Sequence, residues 1–338
     1  MNGKRWLALA LAAGLFFVSI GVNFVSSLLF GDIFSGLDVE ETFGEEMLGE
    51  DVIEDGNPLS KIAVLEVDGV IQDGGDASSF FESVGYNHQF FMEQLKSVKE
   101  DSSVKGIILS VNTPGGGTAE SAQIHEMLVK IKEETEKPLY VSMGSMAASG
   151  GYYISAPADK IFASRETMTG SLGVILQSIN YSGLAEKYGV EFVTIKSGPY
   201  KDILSPSRPV SDEEKKILQD MIDNSYEAFV DVIAEGRGMD EKKVRELADG
   251  RIYDGLQARE VGLIDEFGYL DDVINAMRND HNLEGAQVIR YEDSVGFGLG
   301  SLFELSAQKF IGQDFEATAL MKILGNPNSP RLLYLYSE

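Results

Sequence analysis

A chain of 338 residues, 43% hydrophobic and 24% charged, can bury a full core as one large domain or two modest ones. Its formal net charge of -26 leaves nothing to neutralise phosphates and argues against nucleic-acid binding. The absence of cysteine excludes disulfides, thiolate metal sites and a cysteine nucleophile.

Lys4 and Arg5 close a short start, residues 1–5, that the positive-inside rule holds in the cytoplasm. Residues 6–30, WLALALAAGLFFVSIGVNFVSSLLF, run 25 positions without a charge, and about 20 suffice to span a bilayer as a helix. No small-x-small cleavage site ends the run, so it reads as one uncleaved transmembrane helix, with the rest of the chain beyond the cell membrane. Residues 31–57 carry ten acidic side chains and no basic one. Such a segment buries too little apolar surface to fold alone and reads as a solvated stalk.

The pattern changes at Lys61, and residues 58–298 read as one folded domain. KIAVLEVDGVI is a β-rich run, FFMEQLKSVKED has helical spacing, and KGIILSVNTPGGG is an apolar strand stopped by a proline and three glycines. TAESAQIHEMLVKIKEETEK is helical and PLYVSMG is the next strand. Strands alternating with helices imply parallel pairing through right-handed crossovers, hence an α/β domain. Further on, DKIFAS, GVIL and GVEFVTIK read as short strands. SDEEKKILQDMIDNSYEAFVDVIAEGRG reads as a long helix capped by Ser211, and QAREVGLIDEFG as a helix entering a turn. Residues 299–338 offer a helical stretch, the breakers GNPNSP and the apolar tail RLLYLYSE.

Three segments could carry chemistry. NTPGGG, residues 112–117, stands at a strand's carboxyl end, where consecutive glycines let backbone N–H groups approach an oxyanion; it matches neither common phosphate-binding glycine pattern. MGSMAASGGYYIS is a strand-to-helix turn in which Ser149, directly before Gly150 and Gly151, is the best placed hydroxyl, although the G-x-S-x-G elbow is absent and the serine taken by itself reads more readily as a helix cap than as a nucleophile. TIKSGPYKDILSPSRP is an ordered loop carrying Lys201. Of the three histidines, His88 lies in a polar loop, His125 inside a helix and His281 beyond the core strands. None shows the context of a Ser-His-Asp triad, which leaves a Ser-Lys dyad as the main alternative. A lysine acting as base must lose its proton about three units below its usual range, which burial can supply. Ser171 in TMTGSLGVI is a hydroxyl available to orient the amine.

The motifs NTPGGG, MGSMAASGGYYIS, TGSLGVI, KSGPYKDILSPSR and ADGRIYDGLQAREVGLIDE, spread in that order over about Lys61 to Ile274, resemble the signal peptide peptidase A family, the membrane-anchored Ser-Lys peptidases of bacteria, in its short single-domain form. The resemblance implies a crotonase-like, Clp-protease-like α/β fold of repeated β-β-α units, and ring- or dome-shaped homo-oligomers whose catalytic groups meet at subunit interfaces. It also implies Ser149 as nucleophile, Lys201 as general base and Ser171 holding the lysine, with the N–H groups of Gly116 and Gly150 as oxyanion hole. The substrates it implies are remnant signal peptides and other apolar peptides, and the scheme needs no metal or cofactor. The tail RLLYLYSE is then a candidate occupant of the substrate groove of its own or a neighbouring subunit, an unstructured tail or an oligomer contact being the plainer alternatives. The rival readings are a membrane-tethered scaffold without turnover and an acyl-CoA-handling crotonase.

Overall fold

Runs such as IAVL and IILSV are apolar at consecutive positions, the pattern of strands covered on both faces. In the computed structural model, which describes residues 48–73, 86–292 and 333–335, these runs lie in a nine-stranded, mostly parallel sheet. The strands are β1 (Gly49–Glu54), β2 (Asn57–Asp68), β3 (Val104–Thr113), β4 (Gly115–Gly117), β5 (Leu139–Ala148), β6 (Lys160–Ala163), β7 (Met168–Gly170), β8 (Ile252–Tyr253), β9 (Glu266–Phe267), β10 (Ala286–Glu292) and β11 (Leu333–Leu335). The helices are α1 (His88–Glu100), α2 (Thr118–Thr135), α3 (Gly150–Ser155), α4 (Ser182–Lys187), α5 (Asp212–Arg237), α6 (Glu241–Leu247), α7 (Gly255–Val261) and α8 (Leu270–His281). The sheet runs β1-β10-β2-β3-β5-β6-β9, with β7 on β5 and β8 on β7, while β4 and β11 form a separate antiparallel pair.

The mixed α/β architecture expected from the alternation is present. Ile62 to Leu65 and Ile107 to Leu109 are buried without interruption, so both faces of β2 and β3 are covered. On one face Val273, Ile274 and Met277 of α8 pack onto Ile62, Val64, Ile108, Tyr140, Phe162 and Val288. The long helix begins where it was expected: Ser211 and Glu214 cap each other through Glu214 N–H to Ser211 Oγ (3.2 Å) and Ser211 N–H to Glu214 Oε2 (2.8 Å). Gly238, in the left-handed region at φ 59°, ends it.

Two expectations differ from the structure. Gly49–Glu54 falls within the segment read as a stalk, yet it is an edge strand antiparallel to β10. Its carboxylates meet cations of the domain, Glu50 with Lys61 at 2.8 Å, Asp51 with Arg290 at 2.8 Å and Glu54 with Arg278 at 2.7 Å, so charge that repels within the segment is neutralised across the sheet. GVIL contributes only an isolated bridge from Ile175, and GVEFVTIK is not a strand. Strand geometry needs a neighbour for its N–H and C=O groups, and the described residues place none there. The predicted membrane helix over 6–30 and the helical stretch after 299 lie outside the described residues; among those described, no helix is long and apolar enough to cross a membrane.

Lys137 is a buried cation with a local task. Its ammonium donates to the carbonyls of Val98 and Asp101, the latter at 2.8 Å, at the C-terminal end of α1. Burial pushes it below the usual lysine range. Lys137→Met should strand these carbonyls and lower stability by about 2 kcal/mol, read as a reduced urea midpoint at unchanged slope.

Candidate active site

The parallel pairing of β5 with β7 matches Ala148 to Gly170, so the next residue on each strand is a serine, Ser149 and Ser171. Ser149 N–H donates to Gly170 O at 2.7 Å, and Ser171 N–H to Arg251 O at 2.7 Å. Both serines hold left-handed backbone, φ 52° and 50°. Ser149, 1% exposed, has no hydrogen-bond partner for its Oγ among the described residues. A strained backbone and an unsatisfied buried hydroxyl each cost on the order of 1–3 kcal/mol, an expense that clusters at functional sites.

Beside Ser149 runs β4, the triple glycine. Gly115 N–H is taken by Thr113 Oγ1 (3.0 Å) and Gly117 N–H by Ile71 O (2.8 Å), while Gly115 O accepts from Ile71 N–H (2.9 Å). Of the three amides, that of Gly116 is left for the opposite edge. Gly150 abuts it: a methyl group on Gly150 would come within 2.7 Å of Ser121 Oγ and 3.1 Å of Gly116 N.

That opposite edge is occupied by the apolar tail. Leu333, Tyr334 and Leu335 pair antiparallel with Gly117, Gly116 and Gly115. On the tail's far side, Leu333 exchanges two backbone hydrogen bonds with Ile175, at 3.1 and 3.0 Å. The tail is therefore held as a strand between two segments, the geometry of β-augmentation. The Tyr334 ring is buried, stacks on Tyr153 with centroids 4.8 Å apart and meets Phe229 at 4.7 Å; its hydroxyl donates to Ser225 O at 2.9 Å. The Tyr334 carbonyl oxygen and Gly150 N both crowd the space over the Gly115 Cα, 2.0 and 2.7 Å from where a Cβ would stand. His125 sits edge-on to Tyr153, and burial pushes its imidazole down to about 4, so near neutral pH it is an uncharged wall rather than a base.

Ser149, Ser171, Gly116 and Gly150 thus converge, whereas Lys201 does not join them within one chain. Lys201 lies exposed in a turn, its N–H bonded to Gly198 O at 3.3 Å, and among the described residues its ammonium makes no hydrogen bond or ion pair. The stretch leading to it exposes Ile179, Leu184, Tyr188, Phe192, Val193 and Ile195, the last 97% exposed. Large apolar side chains exposed at this density along one stretch point to an interaction face. Reasoning along the sequence missed Thr113, Ile71 and Ile175, whose backbone and hydroxyl contacts shape the groove, and Tyr153, whose ring floors it. The tyrosine pair after Gly151 was the available signal for the last. Among the described residues no cluster of His, Asp and Glu could hold a metal.

Comparison with known proteins bears on this arrangement. The family model described as Peptidase family S49 matches residues 131–284. The chain is 42% identical, over 99% of its length and 99% of the other's, to "Putative signal peptide peptidase SppA" of Enterococcus faecium. It is 34% identical to "Protease 4" of Haemophilus influenzae, over 67% of its own length and 35% of the other's. With "Serine protease SPPA, chloroplastic" of Arabidopsis thaliana it shares 35% identity over 57% of its length and 28% of the other's.

Proposed function

This chain belongs to peptidase family S49 and is a serine peptidase, and we propose that it is a membrane-anchored endopeptidase in which Ser149 is the nucleophile and Lys201 the general base, acting on extended apolar peptides such as remnant signal peptides. The observation that carries this reading is the tail bound as a strand beside a buried, unpartnered serine. A peptide substrate lying as Leu333–Leu335 lies would present its carbonyl to Ser149 and to two amides, those of Gly116 and Gly150.

In this scheme Lys201, neutral when it acts, takes the proton of Ser149 Oγ as that oxygen bonds to the scissile carbonyl carbon. The negative charge arriving on the carbonyl oxygen is met by the N–H groups of Gly116 and Gly150. Collapse breaks the C–N bond, the lysine ammonium hands its proton to the leaving amine, and water repeats the cycle on the ester. Ser171, held beside Ser149 by the β5–β7 pairing, is suited to orient the amine. A second copy of the chain is the proposed partner of the apolar stretch before Lys201, because closing that surface would bring a lysine to a serine that has none among the described residues of its own chain and would dry the site.

The tail then acts as a tethered competitor. Deleting residues 331–338 should lower the apparent KM for a short apolar peptide about tenfold with kcat unchanged, since a tethered segment competes at millimolar effective concentration. The free peptide RLLYLYSE should inhibit the truncated enzyme competitively. An unchanged KM together with no inhibition would remove the tail from the groove and weaken the substrate assignment built on it.

A further inference from the structure

Arg208 spends every N–H of its guanidinium on joining the loop of Lys201 to the start of α5. Nε donates to Asp202 Oδ2 (2.8 Å), and Nη2 to Asp202 Oδ1 (2.6 Å) and to the Asp202 backbone carbonyl (3.1 Å). Nη1 reaches Glu214 Oε2 (2.9 Å) and Pro209 O (3.0 Å), and Nη2 also meets Glu214 Oε1 (2.5 Å). Glu214, its side chain 2% exposed, is the residue that caps α5 with Ser211. From the other end of the loop Lys196 Nζ donates to Asp202 Oδ1 (2.6 Å) and to Pro199 O (3.0 Å). Both ends of a loop without regular structure are therefore tied to Asp202, the residue directly after Lys201.

Isolated surface ion pairs contribute little to stability. This one is a planar fork bridging two carboxylates, one nearly buried, and it fixes backbone as well as side chain, a geometry lysine cannot reproduce. The guanidinium holds Asp202 well below the usual carboxylate range and Glu214 down to about 2, so the network stays charged across any working pH. The network makes no contact with Ser149. What it controls is where the Lys201 backbone stands on the rigid end of α5.

We propose that Arg208 is a positioning residue for Lys201, locking the Lys201–Asp202 segment to α5 so that the base is preorganised before substrate arrives. The inference rests on the reading of Lys201 as general base. Misplacing a reacting group by about an ångström can cost on the order of a hundredfold.

The test uses full-length protein in detergent micelles, with kcat and KM on one apolar peptide for Arg208→Ala, Arg208→Lys, Asp202→Asn, Lys201→Ala and the double variant Lys201→Ala/Arg208→Ala. The expected result is a ten- to hundredfold loss of kcat for Arg208→Ala with KM within about twofold, partial recovery in Arg208→Lys, and no further loss in the double variant relative to Lys201→Ala, because a residue acting only through the lysine has nothing left to position. Asp202→Asn, which keeps the shape and removes one charge, should fall between wild type and Arg208→Ala and serves if Arg208→Ala does not fold. A wild-type kcat in Arg208→Ala, or a loss that adds in full to that of Lys201→Ala, would overturn the inference while leaving the base in place. Substantial activity in Lys201→Ala would instead remove the base reading itself.

Discussion

Full-length Ser149→Ala and Lys201→Ala are each expected to lose peptide hydrolysis by about 10,000-fold or more while remaining folded, and their mixture is expected to regain a measurable part of it. The size follows from nucleophile and base acting as one unit, so that either loss alone removes nearly all the chemistry. The mixing result follows from the geometry. Ser149 Oγ is buried and unpartnered among the described residues of its own chain, and Lys201 is exposed at the end of a stretch rich in exposed apolar side chains. If neighbouring copies share each site, a mixed assembly contains some sites that combine an intact serine from one copy with an intact lysine from another. Mixing after brief dissociation, with activity followed against the ratio of the two variants, measures this. Complete absence of recovery in assemblies shown to be mixed would assign both groups to one chain. Wild-type rates in either single variant would end the dyad reading.

Gly116→Ala should reduce kcat by about 100- to 1,000-fold, the scale on which loss of one oxyanion donor is felt. The argument is one of space. A methyl group there would stand 1.8 Å from Ile71 O, and the atoms it would strike are backbone of the segment that holds β4 through two hydrogen bonds. The strand must shift, and the Gly116 amide with it. Neighbouring amides cannot substitute, since those of Gly115 and Gly117 are committed to Thr113 and Ile71. Circular dichroism and assembly state should be unchanged, because the strand is short and the nine-stranded sheet does not depend on it. A folded variant with wild-type kcat would mean that the amide facing the tail has no part in the reaction.

Much of the scaffold was legible along the chain. Apolar runs marked β2, β3 and β5, helical spacing marked α1 and α2, and Ser211 marked the start of α5. These signals are local, arising from contacts within one strand or one helical turn. The same locality explains the errors. Residues 49–54 looked like solvated spacer because two of the three cations that neutralise them, Arg278 and Arg290, come from the other end of the domain. GVEFVTIK has strand composition, yet among the described residues it pairs with no edge.

The candidate site divides along the same line. The sequence by itself determined which residue types were available: a serine before two glycines, a serine in TGSLG, a triple glycine ending a strand, a lysine in an ordered loop, and no cysteine to compete. Its motifs also sufficed to indicate the family. Only the tertiary structure decided which glycine amide faces the groove, because that depends on Thr113 and Ile71 consuming the other two. It likewise decided that Leu333–Leu335 of the apolar tail is a strand between Gly115–Gly117 and Ile175, and that Ser149 is strained, buried and without a partner for its hydroxyl among the described residues. Hydrogen-bond partners are assigned by folding rather than by composition, since each backbone group bonds to whatever segment is brought within about 3 Å of it, and nothing in the local sequence records which segment that will be.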